Sequence, residues 1–199
     1  MKVDVVNKLV SKLKIAIEKE LNKQNHENAL SIISICANVL YQSNIYYMDA
    51  DLEHALARVA TELNLNKSIK SDDNVQDDVI LFWDGFGYNG RGLVEIYLKA
   101  LCKIRKVVYV TYLDRKDHMP DVLNILDKYN AERFFINRSD QLVSKVNQLN
   151  SIVEKARPGH MFFYSTPDDV AATPVLYAYD GIIKRYQIDL TDHAFWLGA

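Results

Sequence analysis

The feature that most constrains the fold is a change of pattern near residue 79. From there to residue 190, short apolar runs alternate with longer segments of helical periodicity. Strands are predicted at 79–83, 107–111, 133–136, 160–164 and 185–190, and helices at 92–104, 120–129, 140–155 and 168–177. Apolar strands joined by crossover helices form parallel sheets that are covered on both faces. The pattern therefore predicts a Rossmann-like α/β domain, a parallel sheet of about five strands with flanking helices.

The first 66 residues are predicted to be helical only. In the first helix, apolar residues recur at three- and four-residue spacing: Val6, Leu9, Leu13, Ile17 and Leu21. Further helices are predicted at 27–42 and 51–63, the last capped by Asp49 or Asp51. The predicted organisation is a small all-helical N-terminal appendage at 1–66, a polar linker at 67–78 and the Rossmann-like domain at 79–199.

Composition narrows the classes of function. With a net charge of −2, the chain lacks the excess of positive charge that is typical of nucleic-acid-binding proteins. Cys36 and Cys102 have neither the number nor the spacing of a disulfide framework or a zinc site, and no His, Cys and carboxylate cluster has metal-ligand spacing. We therefore expect no metal, no cofactor and a reducing, cytoplasmic location.

The first helix carries a set of lysines opposite its apolar stripe. They are Lys8, Lys12, Lys14, Lys19 and Lys23. A basic amphipathic helix can lie on an anionic membrane surface, so peripheral membrane contact through this helix is one interpretation. Packing of the stripe on the second helix is favoured, because the second helix also needs an apolar partner.

A glycine-rich loop follows the first predicted strand. Gly85, Gly87 and Gly90 match the G-x-G-x-x-G pattern between a strand and a helix, where backbone amides can approach a phosphate. Asp114 lies 24 residues after Gly90, near the spacing of a ribose-binding acid in nicotinamide enzymes. Against that interpretation, Phe86 is bulky for a tight fingerprint turn and Asp84 would repel a pyrophosphate, although Arg91 would attract one.

Two other interpretations of this loop stay open. The glycines can simply make a strand-to-helix turn with positive φ. Alternatively, the loop contacts a sugar nucleotide or an acceptor at a cleft between domains. The third interpretation is favoured, and it predicts these ligand-contacting residues: Gly85, Gly87, Asn89, Gly90, Arg91 and Gly92.

Three polar residues follow the last predicted strand. Thr191, Asp192 and His193 stand where open α/β sheets place their sites, and an apolar run at 194–197, predicted to be exposed, comes next. His193 titrates near neutral pH and could act as a base or hydrogen-bond donor, while Asp192 could orient an acceptor hydroxyl. The alternative is that Asp192 and His193 cap a turn while Phe195 and Trp196 fill a core.

Polar residues also follow the second and fourth strands. Thr166 is placed to cap the next helix, with Pro167 at its first position and two aspartates in its first turn. That structural interpretation is favoured, but a hydroxyl at the sheet edge can also contact a ligand. Residues 114–118 are predicted to be a solvated loop, with a ligand contact as the alternative. Because the loops after parallel strands open on the same side, residues 85–92, 114–118, 165–166 and 191–193 are expected to line one edge of the sheet.

Two segments carry a resemblance to a known family. Residues 80–93 and 186–198, the latter containing Asp-His-Ala-Phe-Trp-Leu-Gly, resemble the N-terminal portion of bacterial glycosyltransferases of the GT-B fold. The resemblance is to the group with an Asp-His-x-Phe-Trp-Leu-Gly segment ahead of its second domain. The helical stretch 28–40 resembles the small helical extension of such proteins.

The resemblance implies two Rossmann-like domains that face each other across a cleft. The N-terminal domain would hold the acceptor, a sugar or peptide, and the C-terminal domain the nucleotide-sugar donor. We expect this chain to be the acceptor-side domain of an enzyme of polysaccharide or protein glycosylation, without its C-terminal half and inactive alone. His193 and Asp192 are the expected catalytic residues, with Thr166 and Thr191 among the binding residues. The alternatives are a non-catalytic binding or scaffold module and, less favoured, an NAD(P)-dependent oxidoreductase domain.

Overall fold

A computed structural model describes residues 3–71, 75–89, 92–190 and 194–198. The chain begins with three helices and continues with alternating strands and helices. The helices are α1 (Val3–Leu21), α2 (His26–Ser43), α3 (Ala50–Glu62), α4 (Leu93–Leu101), α5 (Pro120–Lys128), α6 (Leu142–Ala156) and α7 (Ala172–Ala178). The strands are β1 (Gln76–Asp84), β2 (Lys106–Tyr112), β3 (Glu132–Ile136), β4 (Pro158–Tyr164) and β5 (Lys184–Gln187), and a 3-10 helix covers Leu113–His118.

The five strands form one parallel sheet in the order β3-β2-β1-β4-β5. This order is that of a doubly wound, Rossmann-like sheet, so the predicted fold class is confirmed. The chain runs outward from β1 through β2 to β3 and then crosses over to β4. The loops after β1 and β4 therefore diverge from adjacent strands, which creates a switch point at the carboxyl edge of the sheet.

Both faces of β1, the central strand of the sheet, are buried, as its continuous apolar sequence predicts. Ile80 and Phe82 lie in one core with residues of α4 and α5. Leu81 and Trp83 lie in the other core, with α6 and α7. The alternation of side chains along the strand thus divides its residues between two helical layers.

The three N-terminal helices share the second of these cores. Val6, Leu30 and Leu56, one from each helix, are fully buried in the same cluster as Val146 and Leu149 of α6. The packing of α1 on α2 follows the prediction, although Leu9 is exposed while Val10 is buried. One hydrophobic core therefore continues from the sheet through α6 and α7 into α1, α2 and α3.

The helix starts show which capping predictions hold. Asp49, rather than Asp51, caps α3, since its carboxylate accepts from the amides of Asp51 and Leu52. The predicted start of the last helix at 168 is wrong, because α7 begins at Ala172. Asp169 supplies the cap in place of Thr166: its carboxylate accepts from the amides of Ala171 and Ala172 at 3.0 and 2.9 Å.

Several other boundaries differ from the prediction, among them the start of β1 at Gln76, inside the segment 67–78 that was predicted to be a linker. Strand β5 ends at Gln187 rather than at 190, and α4 ends at Leu101 rather than at 104. The amides of residues 103 and 104 donate to the carbonyls three residues earlier, so the chain leaves α4 through a tighter, 3-10-type turn. None of the described helices is both long enough and apolar enough to cross a membrane.

Candidate functional site

Three of the loops predicted to share one edge meet at the carboxyl edge of the sheet. The amide of Gly85 donates to the carbonyl of Tyr164 at 2.8 Å, which joins the loop after β1 to the end of β4. The amide of Asn89 donates to the carbonyl of His118, which joins the same loop to the 3-10 helix after β2. The predicted convergence of Gly85, Gly87, Asn89 and Thr166 on one edge is therefore present.

The first half of the glycine loop is organised around a buried carboxylate. Oδ1 of Asp84 accepts from the amides of Phe86 and Gly87 at 3.1 and 2.8 Å, and Oδ2 accepts from the Tyr109 hydroxyl at 2.6 Å. Burial of the Asp84 side chain raises the pKa of its carboxyl group. Because these two loop amides already bond to Asp84, they cannot bind a pyrophosphate as the dinucleotide fingerprint requires.

A second buried carboxylate lies beneath the same loop. Oδ2 of Asp169 accepts from the indole nitrogen of Trp83 at 2.7 Å, and burial raises the pKa of this carboxyl group too. A Cβ atom on Gly85 would stand 3.0 Å from that oxygen and 3.2 Å from the indole nitrogen. Gly85 therefore lets the loop lie directly against the Trp83–Asp169 pair.

Asn89, Gly87 and Gly92 of the loop have structural roles, in capping a helix and in forming turns. Oδ1 of Asn89 accepts from the amides of Asp121 and Val122, so the side chain caps the first turn of α5. Gly92 has a φ of +73° at the start of α4, and Gly87 has a φ of +62°. These glycines meet the conformational demand of a turn, the interpretation that was left open alongside ligand binding.

A cavity of about 320 Å³ opens at the switch point, beside Phe86. It is lined by residues from the loops after β1 and β4, from α2 and from the C-terminal stretch: Phe86, Thr166, Pro167, Asp168, Asn38, Tyr41, Leu190 and Trp196. Its volume lies at the lower end of the range for small-molecule sites. Three aromatic rings and a few polar groups are the composition expected of such a site.

Polar contacts fix the walls of this cavity. The side-chain amide of Asn38 donates to Oδ2 of Asp168 at 2.8 Å, and the Ser34 hydroxyl donates to the same oxygen at 3.4 Å. The Phe86 ring lies 4.7 Å from the Tyr164 ring, between centroids. Helix α2 thus contributes one wall of a cavity whose other walls belong to the loops after β1 and β4 and to the C-terminal stretch.

The apolar run near the C-terminus is buried, so the prediction that it is exposed is wrong. Phe195, Trp196 and Leu197 expose 3% of their surface or less. Trp196 packs edge-on against Tyr41 with ring centroids 6.3 Å apart, and the amide of Gly198 donates to the carboxylate of Glu53 at 3.1 Å. The helices α2 and α3 cover this segment, a contact that the local sequence does not reveal. Phe195 and Trp196 therefore fill a core, as one of the two open interpretations holds.

Several predicted site residues have no structural account. Gly90, Arg91, Thr191, Asp192 and His193 lie outside the described residues. Residues near the last three, Leu190 and Trp196, line the cavity.

Sequence reasoning missed the residues that α2 brings to the site, Asn38 and Tyr41. The guanidinium groups of Arg115 and Arg138 are within 4 Å of the Asp114 carboxylate; the sequence reasoning considered Arg115 only as part of the loop 114–118, and it missed Arg138. Basic residues directly after β2 and β3 were the available signal, since the carboxyl ends of parallel strands share one edge.

A larger groove of about 450 Å³ lies between α1 and α3. It is lined by Ile15, Ile17 and Leu52, with Lys14 and Asp51 among the polar residues. We favour the smaller cavity as the functional site, because it lies at the switch point where open α/β sheets bind ligands. Within the described part of the chain, no group of His, Cys, Asp and Glu side chains could hold a metal ion.

Comparisons of the chain with models of protein families, with curated proteins and with solved structures found no match.

Proposed function

We propose that this chain is the acceptor-side domain of a glycosyltransferase that transfers a sugar from a nucleotide-sugar donor. The observation that carries the proposal is the cavity at the switch point, with its three aromatic rings beside amide, hydroxyl and carboxylate groups. Flat apolar sugar faces can pack on aromatic rings, while sugar hydroxyls need hydrogen-bonding partners of this kind. The resemblance of residues 80–93 and 186–198 to GT-B glycosyltransferases supports the same function.

The proposal assigns the reacting groups to the stretch between Leu190 and Trp196. His193 would act as base or hydrogen-bond donor to the acceptor hydroxyl, and Asp192 would orient that hydroxyl. Thr166 and Thr191 would contact the acceptor. A second domain that faces this edge would hold the nucleotide-sugar donor, since transfer needs both substrates positioned together.

Saccharide binding tests the proposal directly. Trp196 lines the cavity, and the other tryptophan, Trp83, is fully buried beneath the loop. Titration with a panel of neutral monosaccharides and disaccharides should give a saturable change in tryptophan fluorescence. Thr166→Val removes one hydroxyl from the cavity without changing its shape, so we expect saccharide binding to weaken about two- to tenfold.

Thr61→Val is the matched control. The Thr61 hydroxyl donates to the carbonyl of Ala57 on the exposed surface of α3, away from the cavity. We expect this variant to bind saccharides as the parent chain does. Saccharide binding that Thr61→Val weakens as much as Thr166→Val, or no binding across the panel, would count against the proposed function.

A further inference from the structure

Two arginines from different strand ends converge beside the glycine loop. Arg115 lies in the 3-10 helix after β2, and Arg138 follows β3. Nε of Arg115 is 3.6 Å from Oδ2 of Asp114, and Nε of Arg138 is 3.4 Å from Oδ1 of the same carboxylate. Two cations therefore share one anion, with one guanidinium group on each side of it.

Aromatic rings and short contacts hold both guanidinium groups in place. The Arg115 guanidinium lies 4.3 Å from the centroid of the Tyr88 ring and donates to the Tyr88 hydroxyl. The Arg138 guanidinium lies 4.3 Å from the centroid of the Tyr112 ring and donates to the carbonyl of Gly85 at 3.5 Å. Stacking of this kind fixes the plane of an arginine fork.

Several N–H donors of each guanidinium group make no hydrogen bond within the described ranges, and Nε of each is itself buried. An arginine has five N–H donors. Within the ranges that the structure describes, Arg115 and Arg138 each make one side-chain hydrogen bond besides their contact with Asp114. The arginine side chains are 21% and 40% exposed. Positioned guanidinium groups with spare donors match the oxygens of a carboxylate or a phosphate.

The arginine pair adjoins the cavity through the glycine loop. A Cβ atom on Gly87 would stand 2.6 Å from Cβ of Arg115, so this arginine lies directly against the loop. Arg138 contacts Gly85, and Phe86 between these two glycines lines the cavity. Residues 85–87 therefore lie between the cavity and the two arginines, with Phe86 lining the cavity and the neighbouring glycines contacting the arginines.

We propose that Arg115 and Arg138 form an anion subsite, and that the acceptor carries a carboxylate or phosphate group that binds there. This inference rests on the proposed acceptor site. The loop amides of Phe86 and Gly87 already bond to Asp84, so the anion is held by the two side chains. The Asp114 carboxylate, which lies beside Nε of both arginines, is the anion with which a bound ligand competes for their positive charge.

Calorimetric titration with glucose, glucose 6-phosphate, glucuronate and inorganic phosphate tests the subsite. We expect both anionic sugars to bind at least about tenfold more tightly than glucose, because hydrogen bonds to charged groups contribute more than neutral ones. The stronger of the two shows whether the subsite prefers phosphate or carboxylate. The preference should shrink as sodium chloride is raised, since salt screens charges on an exposed surface.

Three variants make the test specific. Arg115→Gln with Arg138→Gln should abolish the preference for anionic sugars. Arg133→Gln is the control, because Arg133 forms an exposed ion pair with Asp127 on another part of the surface. Asp114→Asn should tighten anion binding about threefold or more, because it removes the competing carboxylate; a merely structural ion pair would not give this gain.

The outcomes separate the subsite from the proposed function. Binding of neutral sugars without any preference for anions would overturn the anion subsite and leave the acceptor function standing. Anion binding that depends on both arginines, without any binding of neutral sugars, would support the subsite and count against the neutral-sugar cavity. Anion binding that survives the double arginine variant, or no binding of any of the three anions, would overturn the subsite.

Discussion

At the scale of single residues, burial decides the behaviour of several carboxyl groups. Glu53 of α3 is 8% exposed and accepts from the Tyr177 hydroxyl at 2.6 Å and from the amide of Gly198. Desolvation raises the pKa of its carboxyl group despite these hydrogen bonds. Glu62, at the end of the same helix, has the opposite shift, because a hydrogen bond from Arg58 lowers its pKa.

These two shifts predict opposite effects of pH on stability. Between the unfolded and folded pKa values of Glu53, the native state binds more protons than the unfolded state, so the free energy of unfolding falls as pH rises from about 4.3. Glu53→Gln should remove that fall. For Glu62, whose folded pKa is lowered, stability is present above about pH 4.3 and is lost as pH falls, and Glu62→Gln should remove that loss.

Urea unfolding of the parent chain and both variants between pH 3 and pH 7 provides the measurement. The difference between parent and variant should change in opposite directions with pH for the two glutamates. A parent chain that gains stability relative to Glu53→Gln as pH rises would show that Glu53 is stabilised in its charged form.

At the scale of elements, the glycine loop is shaped by what packs against it. Gly87 has a φ of +62°, and a Cβ atom there would meet Cβ and Cγ of Arg115 at 2.6 and 2.7 Å. Gly181, between α7 and β5, has a similar φ of +71°, but no atom lies within 4 Å of the corresponding Cβ position. Gly181 therefore needs only the positive φ of its turn, whereas Gly87 needs both a positive φ and the absence of a side chain against Arg115.

We expect Gly181→Ala to lower the free energy of unfolding by about 1–2 kcal/mol, the cost of placing an L side chain in the left-handed region. Gly87→Ala should lower it by about 1–3 kcal/mol more, because it also overpacks the loop against Arg115. Urea unfolding of the two variants gives the comparison. Equal losses would mean that Arg115 moves away without cost and does not constrain the loop.

At the scale of the whole molecule, polar contacts tie the N-terminal helices to the sheet layer. The Glu27 carboxylate of α2 accepts from the amides of Leu142 and Val143, both at 2.8 Å, and so caps α6 from 115 residues away. The Asn66 side chain donates to the carbonyl of Ala178 at the end of α7. Together with the shared apolar core, these contacts predict that all layers unfold as one unit.

The prediction is a single transition that two probes report identically. Far-UV circular dichroism follows the helices, and fluorescence in a Trp196→Phe background follows Trp83 in β1. Leu30→Ala in α2 and Leu98→Ala in α4 should each shift both probes together, by about 2–5 kcal/mol, because both leucines are fully buried. Two separate transitions would instead support the division into a helical appendage at 1–66 and an independent domain at 79–199.

Local pattern determined much of this fold. The apolar runs of β1, β2 and β4 and the helical spacing of α1, α2 and α3 depend on neighbours in sequence, so most of these elements were predicted within a few residues. The position of Gly85 and Thr166 at one edge also followed, because parallel strands deliver their following loops to the same side. Element ends were less predictable where a cap came from tertiary structure, as with Glu27 at α6, which begins at Leu142 and not at the predicted residue 140.

Only the tertiary structure decided which residues distant in sequence contact each other. Asn38 and Tyr41 join the cavity, Glu27 caps α6, and Arg115 and Arg138 meet at Asp114 because the order of strands in the sheet and the docking of α2 bring them together. Periodicity reports which face of an element is buried, but not which partner buries it. The sequence by itself therefore determined the elements and the edge at which a site would lie, whereas packing determined the walls of that site and its charge.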